Sequence, residues 1–159
     1  THVVVPSSVE DYSHEQGSQC LGVQSYHLGI MPHSGDWQMG GVSQAAQSFN
    51  YPFKAMQSST LNGKLAPRAA FFELDSPDLV LSALKTPEHH KPGVVIRVFN
   101  PTNSLINTTL STCFKIQEAF ITDLEEMNDI PKASTNAHQL EIIVEPKKII
   151  TLRLIVNYE

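Results

Sequence analysis

The chain has 159 residues, of which 41% are hydrophobic and 17% charged, and its formal net charge is −5. This composition is typical of one globular domain, or of a domain with a docked fragment, and it excludes a disordered chain. The single basic doublet, Lys147-Lys148, argues against a nucleic-acid partner, and no apolar run approaches the ~20 residues of a membrane span, which argues against a membrane partner.

The first predicted elements are a strand over residues 20–30 and a helix over about 37–49. Apolar residues recur at helical spacing across the second range, and the Asn-Tyr-Pro sequence that follows ends the pattern. Asp36 stands where an N-cap residue belongs, so the helix is expected to begin directly after it. Gly40-Gly41 weakens the helix, because each glycine costs ~1 kcal/mol relative to alanine.

The rest of the chain shows short strand patterns separated by turn residues. Residues 93–100 place apolar side chains on both faces, which predicts a strand covered on both sides. Further strands are predicted over residues 67–74, 78–85, 105–111 and 113–121. Many short strands with turns between them predict an all-β fold, an antiparallel β-sandwich with one short helix.

The last two predicted strands, residues 139–145 and 148–156, flank the turn sequence Pro146-Lys147. Every second residue of the final strand is apolar, which gives it a continuous core face. Since strands joined by a tight turn commonly pair, these two are predicted to form a closing β-hairpin.

The turn PHSGDW, residues 32–37, contains the candidate site residues His33, Asp36 and Trp37. Such a rigid turn could lie at the rim of a sugar site or at the interface with another module. Asp36 could instead cap the helix, and His33 could bond to a carbonyl of the turn. We expect His33 to face outward and not to bind a metal.

Arg97 lies in the middle of an apolar strand, where a buried guanidinium needs a partner. A structural ion pair is therefore expected for Arg97, in preference to a ligand contact. The acidic stretch DLEEMND, residues 123–129, is interpreted as a solvated loop and not as a catalytic carboxylate pair.

Motifs for a metal or a nucleophile are absent from the sequence. There is no C-x-x-C and no HExxH, and the adjacent His89 and His90 would point to opposite faces of a strand. There is also no G-x-S-x-G, and neither Cys20 nor Cys113 has a histidine near it in sequence. No catalytic residue and no metal site are predicted in this chain, and the two cysteines are expected to be buried, reduced thiols.

Four stretches, taken in order, resemble the C-terminal region of glycoside hydrolase family 38, the α-mannosidases. The residues 79–85 and 93–101 resemble the family's "sal-K" and "iv-R-x-yN" strands, and 119–126 resembles its "t-x-l-x-E" stretch. The other two are YHLGIMPHSGDW (26–37) with FNYPF (49–53), and LEIIVEPKKIITLRL (140–154), which is similar to the closing strands of the family. Nothing corresponds to the family's N-terminal catalytic module, so the resemblance and the missing initiator Met imply a C-terminal fragment.

By this resemblance, residues 1–60 would be the tail of a large β-sandwich and residues 65–159 the terminal small β-sandwich. The partner would be the N-terminal catalytic module of the same polypeptide, which would hold zinc and hydrolyse an α-mannoside with retention by means of two carboxylates. Bacterial relatives also act on 6-phospho-mannosyl-glycerate. The few cysteines favour a bacterial cytoplasmic protein, and a homo-oligomer is possible.

The alternative hypothesis is a non-catalytic, immunoglobulin-like domain that binds carbohydrate or protein. The gene upstream of Thr1 distinguishes the two hypotheses, because it encodes either a long catalytic module or a start codon.

Overall fold

The computed structural model describes residues 20, 22–59, 62–63, 66–134 and 136–157. It divides the chain into two units, residues 1–31 and residues 32–159. The domain division implied by the family resemblance, near residues 60–65, stays a prediction.

The described part of the first unit, residues 20 and 22–31, contains no strand or helix, so the prediction of a strand over 20–30 is wrong there. The alternating apolar side chains of this segment are nevertheless present, and Tyr26, Leu28 and Ile30 are between 80% and 95% exposed. A strand also needs a neighbour for its backbone groups, and the described residues supply none.

The helix of the second unit, α1, spans Val42–Asn50 and begins later than predicted. Asp36 does act as a cap, since its Oδ1 accepts a hydrogen bond of 2.8 Å from the Met39 N–H, but it caps a separate turn. Gly41 then adopts a left-handed conformation with φ of 65°, which breaks that turn before the helix starts. The glycine pair therefore divides the predicted helix.

In the described part of the chain, eight strands form two antiparallel sheets, which confirms the predicted fold class. Sheet A has the order β1-β4-β7, and sheet B has the order β2-β3-β8-β5-β6. The strands are β1 Phe72–Leu74, β2 Val80–Lys85, β3 Val94–Phe99, β4 Ile106–Thr112, β5 Lys115–Thr122, β6 Asp129–Pro131, β7 Gln139–Val144 and β8 Ile149–Asn157.

The core lies between the facing sides of the two sheets. Leu140 and Ile142 of β7 and Leu152 and Leu154 of β8 have no exposed surface. Each such side chain stabilises the fold by ~1.5–3 kcal/mol through removal of apolar surface from water. Val95, on the other side of β3, is also fully buried, so that strand is covered on both faces.

The predicted hairpin of the last two strands is wrong, because β7 and β8 belong to different sheets. β7 pairs with β4, whereas β8 lies between β3 and β5. The turn between them, in which the Lys148 N–H bonds to the Glu145 carbonyl at 3.2 Å, carries the chain across the sandwich. Their two apolar faces therefore meet through the core instead of lying side by side.

Candidate functional site

Sheet B presents three cationic side chains on the face that points away from the core. Lys85 comes from β2, Arg97 from β3 and Arg153 from β8. Arg97 alternates with the buried Ile96 and Val98, so the pleat of β3 directs it to the outer face. Arg153 is 6% exposed and stacks on the ring of Phe120, 4.3 Å from its centroid.

The loop between β5 and β6, residues 123–128, brings Glu126 to these cations. Glu126 is 1% exposed, and its Oε1 lies 2.9 Å from the Lys85 ammonium and 3.3 Å from the Arg97 guanidinium. Its Oε2 accepts a hydrogen bond of 2.8 Å from the Glu88 N–H. Because β2 is three strands away from β5 in sheet B, this loop must cross the outer face of the sheet to reach Lys85.

The surroundings of Glu126 keep it ionised. Burial alone would raise the pKa of this carboxyl. The hydrogen bonds from the Glu88 N–H and from Lys85, with the charges of Lys85 and Arg97, outweigh burial and hold the pKa of Glu126 below its usual value.

A second ion pair lies beside the first. Asp129, the first residue of β6, has Oδ2 2.9 Å from both the Lys91 ammonium and an Arg153 guanidinium nitrogen. Burial would raise the pKa of Asp129, but the hydrogen bonds from Arg153 and Lys91 lower it. Lys91 also donates to the Glu126 carbonyl at 2.6 Å, which links the two pairs. We call the group formed by Lys85, Lys91, Arg97, Arg153, Glu126 and Asp129 the charged cluster.

Arg97 forms an ion pair within the protein, as its position in an apolar strand predicted. Besides its ion pair with Glu126, its Nε donates to the Thr151 hydroxyl at 2.9 Å and its Nη2 to the Leu124 carbonyl at 3.1 Å. A purely structural role for Arg97 stays a prediction.

The interpretation of residues 123–129 as a solvated loop is wrong for Glu126. The signal that could have found it lay in the family motifs: "sal-K" ends on Lys85, the arginine of "iv-R-x-yN" is Arg97, and "t-x-l-x-E" ends on Glu126. Three motifs far apart in sequence thus supply one set of contacting charges.

The structure places His33, Asp36 and Trp37 together in one turn, and none of the described contacts joins them to the charged cluster. The exposed His33 ring packs on Gly40, where an added Cβ would lie 2.6 Å from it. Trp37 is 39% exposed, and the ammonium of Lys147 lies 5.9 Å from its ring centroid. Whether this turn forms a substrate rim or a module interface stays a prediction.

Within the described residues, no group of three or more His, Cys, Asp or Glu side chains is arranged to hold a metal ion. Those residues therefore do not fit a zinc site. The helix of the described part is also too short to cross a membrane.

Comparison with known proteins agrees with this architecture. Residues 78–152 match the family described as "Glycosyl hydrolases family 38 C-terminal beta sandwich domain". The sandwich is therefore a domain of this glycosyl hydrolase family, and the resemblance carried by the sequence motifs is confirmed.

Three similar proteins span 86% of this chain. They are "Alpha-mannosidase 2C1" of Mus musculus, 28% identical over 142 residues, the human protein of the same name, 29% identical over 141, and a "Putative mannosylglycerate hydrolase" of Halalkalibacterium halodurans, 30% identical over 136. The chain spans 13% of the length of the two mammalian proteins and 15% of the bacterial one.

Proposed function

We propose that this chain is the C-terminal β-sandwich region of a zinc-dependent, retaining α-mannosidase. In that assembly it supports an N-terminal catalytic module of the same polypeptide, and the intact enzyme hydrolyses α-mannosides or 6-phospho-mannosyl-glycerate. The match of residues 78–152 to the family 38 C-terminal domain carries this proposal. The names of the similar proteins, two α-mannosidases and a mannosylglycerate hydrolase, support the substrate class.

The charged cluster supports the assignment of catalysis to another part of the polypeptide. Glycoside hydrolysis needs a carboxylic acid that stays protonated until it reaches the leaving group, and hence a raised pKa. The pKa values of Glu126 and Asp129 are lowered instead, and both carboxylates are occupied by cations of the same fold. Their ion pairs and lowered pKa values suit these two carboxylates to fasten the β5–β6 loop, and not to donate a proton.

Zinc enters this proposal only through the catalytic module, because the described residues offer no set of ligands. We propose a cytoplasmic location, because the chain has only two cysteines.

The prediction that both cysteines are buried is wrong, since Cys20 and Cys113 are exposed; Cys113 carries a free thiol.

An activity assay tests the proposal. The purified 159-residue chain is expected to release no nitrophenol from nitrophenyl α-mannoside, with or without added zinc, while the polypeptide encoded upstream of Thr1 and through Glu159 is expected to be active. Turnover by the isolated chain would contradict the proposal. A start codon immediately upstream of Thr1 would also contradict it, and would favour the free-standing binding module.

A further inference from the structure

The turn between β2 and β3 has a backbone conformation that its residues do not favour. His89 and His90 occupy its two central positions with φ of 56° and 55°, and the Lys91 N–H bonds to the Glu88 carbonyl at 3.4 Å. Positive φ at both central positions is the feature of a type I′ turn, in which Asn and Gly are the usual residues. Because the left-handed conformation is unfavourable for residues with a Cβ atom, the two histidines lie in a strained turn.

The connection between the two strands does not impose this turn. It extends over residues 86–93, and a loop of that length can join antiparallel strands without a type I′ turn. The side chains of His89 and His90 are both exposed, so their own packing does not offset the strain. Contacts from outside the turn therefore hold it in this conformation.

The β5–β6 loop, residues 123–128, supplies such contacts on both sides of the histidine pair. On one side, the Glu88 N–H donates to Glu126 Oε2 at 2.8 Å. On the other side, the Lys91 ammonium donates to the carbonyls of Glu126 at 2.6 Å and Met127 at 3.1 Å. Glu126 is itself left-handed, with φ of 62°. Three strained residues thus lie where the turn and the loop are joined.

Backbone strain persists only where the surrounding contacts enforce it, and it is concentrated in clamps and switch regions. The contacts that enforce it here lie on the outer face of sheet B, and the core lies on the opposite face. Separation of the turn from the loop breaks the ion pairs of Glu126 but relieves the strain of three residues. Since these two effects oppose each other, separation requires less free energy than unfolding of the sandwich.

We propose that the turn of residues 88–91 and the loop of residues 123–128 form a latch, a two-state element that Glu126 holds closed and that opens as one unit while the sandwich stays folded. In the open form, Lys85 and Arg97 lose their shared carboxylate and become accessible on the outer face of sheet B. This inference does not depend on the proposed catalytic assembly.

Hydrogen exchange of the 159-residue chain, followed by NMR at neutral pH, tests the shared opening. The Lys91 amide bonds within the turn and the Glu126 amide bonds to the Asp123 carbonyl within the loop, so each reports on its own segment. A single opening predicts protection factors that agree within about 5-fold and are about 100-fold lower than those of β3 and β8. A larger difference between the two amides, or protection equal to that of the strands, overturns the proposal.

Relief of the strain tests the coupling from the side of the turn. A chain with both His89→Gly and His90→Gly loses the strain but no buried packing, so its latch should stay closed more often. Protection of the Glu126 amide, which lies in the other segment, is expected to rise about 10-fold. Glu125→Gly is the control, because Glu125 is exposed and is not left-handed, so glycine there should not raise this protection. A Glu126 amide that does not respond to the histidine replacements overturns the coupling.

A variant of Glu126 tests the coupling from the side of the loop. Glu126→Gln keeps the shape of the side chain but removes the charge that pairs with Lys85 and Arg97. Protection of the Lys91 amide is expected to fall at least about 30-fold, and dispersed resonances should show that the sandwich stays folded. Glu125→Gln is the matched control and should leave the Lys91 amide unchanged. A Lys91 amide that keeps its protection in the Glu126 variant overturns the proposal.

Discussion

At the scale of single residues, the burial of Glu126 could not be predicted from the residues around it in the sequence. Arg97 was recognisable because it interrupts an apolar strand, whereas Glu126 lies in an acidic stretch that resembles an ordinary surface loop. Its burial depends on cations from β2 and β3, strands that are remote in sequence. Local composition carries no information about such partners, so for Lys85 and Glu126 the signal lay in the family motifs alone.

We expect Glu126→Gln to destabilise the domain by about 2–4 kcal/mol, because it leaves Lys85 and Arg97 without their shared anion. Urea unfolding monitored by circular dichroism measures this change. Glu125→Gln is the matched control, since the adjacent side chain is exposed and should stay within about 0.5 kcal/mol of wild type. Equal effects of the two variants would show that the ion pairs of Glu126 add no stability.

The free energy of unfolding should also fall in acid because of Glu126 and Asp129. Their folded pKa values lie below the ordinary 4.5 and 3.8, so the unfolded chain binds protons first as the pH drops. Their stabilisation is therefore fully present above about pH 5.5 and is lost as the pH falls through the folded pKa values. Urea midpoints measured between pH 7 and pH 3 test this. Glu126→Gln should lose less stability over that range than wild type, and a parallel decline of both proteins would contradict the assignment.

At the scale of elements, the sequence located the strands better than it paired them. Alternation of apolar residues predicted all of the sandwich strands except β6. The predicted bounds lie within two residues of those observed, apart from the start of β1, which was predicted at residue 67 and lies at Phe72. The same alternation could not decide whether β7 and β8 pair through backbone hydrogen bonds or face each other across the core. A tight turn with an apolar strand on each side fits both arrangements, and the choice depends on β3, β4 and β5.

Asn100, just after β3, secures the crossing from β7 to β8. Its side-chain amide donates to the carbonyls of Ser104, Val144 and Glu145 at 2.8, 2.9 and 3.1 Å. Asn100→Ala should cost about 2–4 kcal/mol, because it removes the amide donor from the buried Val144 carbonyl and from two partly buried carbonyls. Thermal and urea unfolding measure the loss, and Asn103→Ala, at an exposed position of the same loop, serves as control. If the two variants are equally stable, Asn100 does not secure the crossing.

At the scale of the whole molecule, the eight strands lie between Phe72 and Asn157, and the segment before them supplies only α1 to the described fold. Helix α1 has no buried residue. Its described contacts with the sandwich are exposed hydrogen bonds, such as those from Gln44 to the Pro77 carbonyl and from Gln47 to the Leu81 carbonyl. The sandwich should therefore depend little on the residues before it.

We expect a chain of residues 66–159 to fold on its own, at a cost of about 1–2 kcal/mol. It loses a few exposed hydrogen bonds, which are worth ~0.5–1.5 kcal/mol each, and the contact between the Lys147 ammonium and the half-exposed Trp37 ring. Dispersed amide resonances in an NMR spectrum and a cooperative urea transition would establish the fold. A chain of residues 78–159 is the comparison: it also lacks β1 and the ring contact of 6.0 Å between Phe72 and Phe114, and it should lose about 3 kcal/mol or more. If the 66–159 chain is unfolded, the terminal sandwich is not an independent domain, and the division near residues 60–65 is wrong.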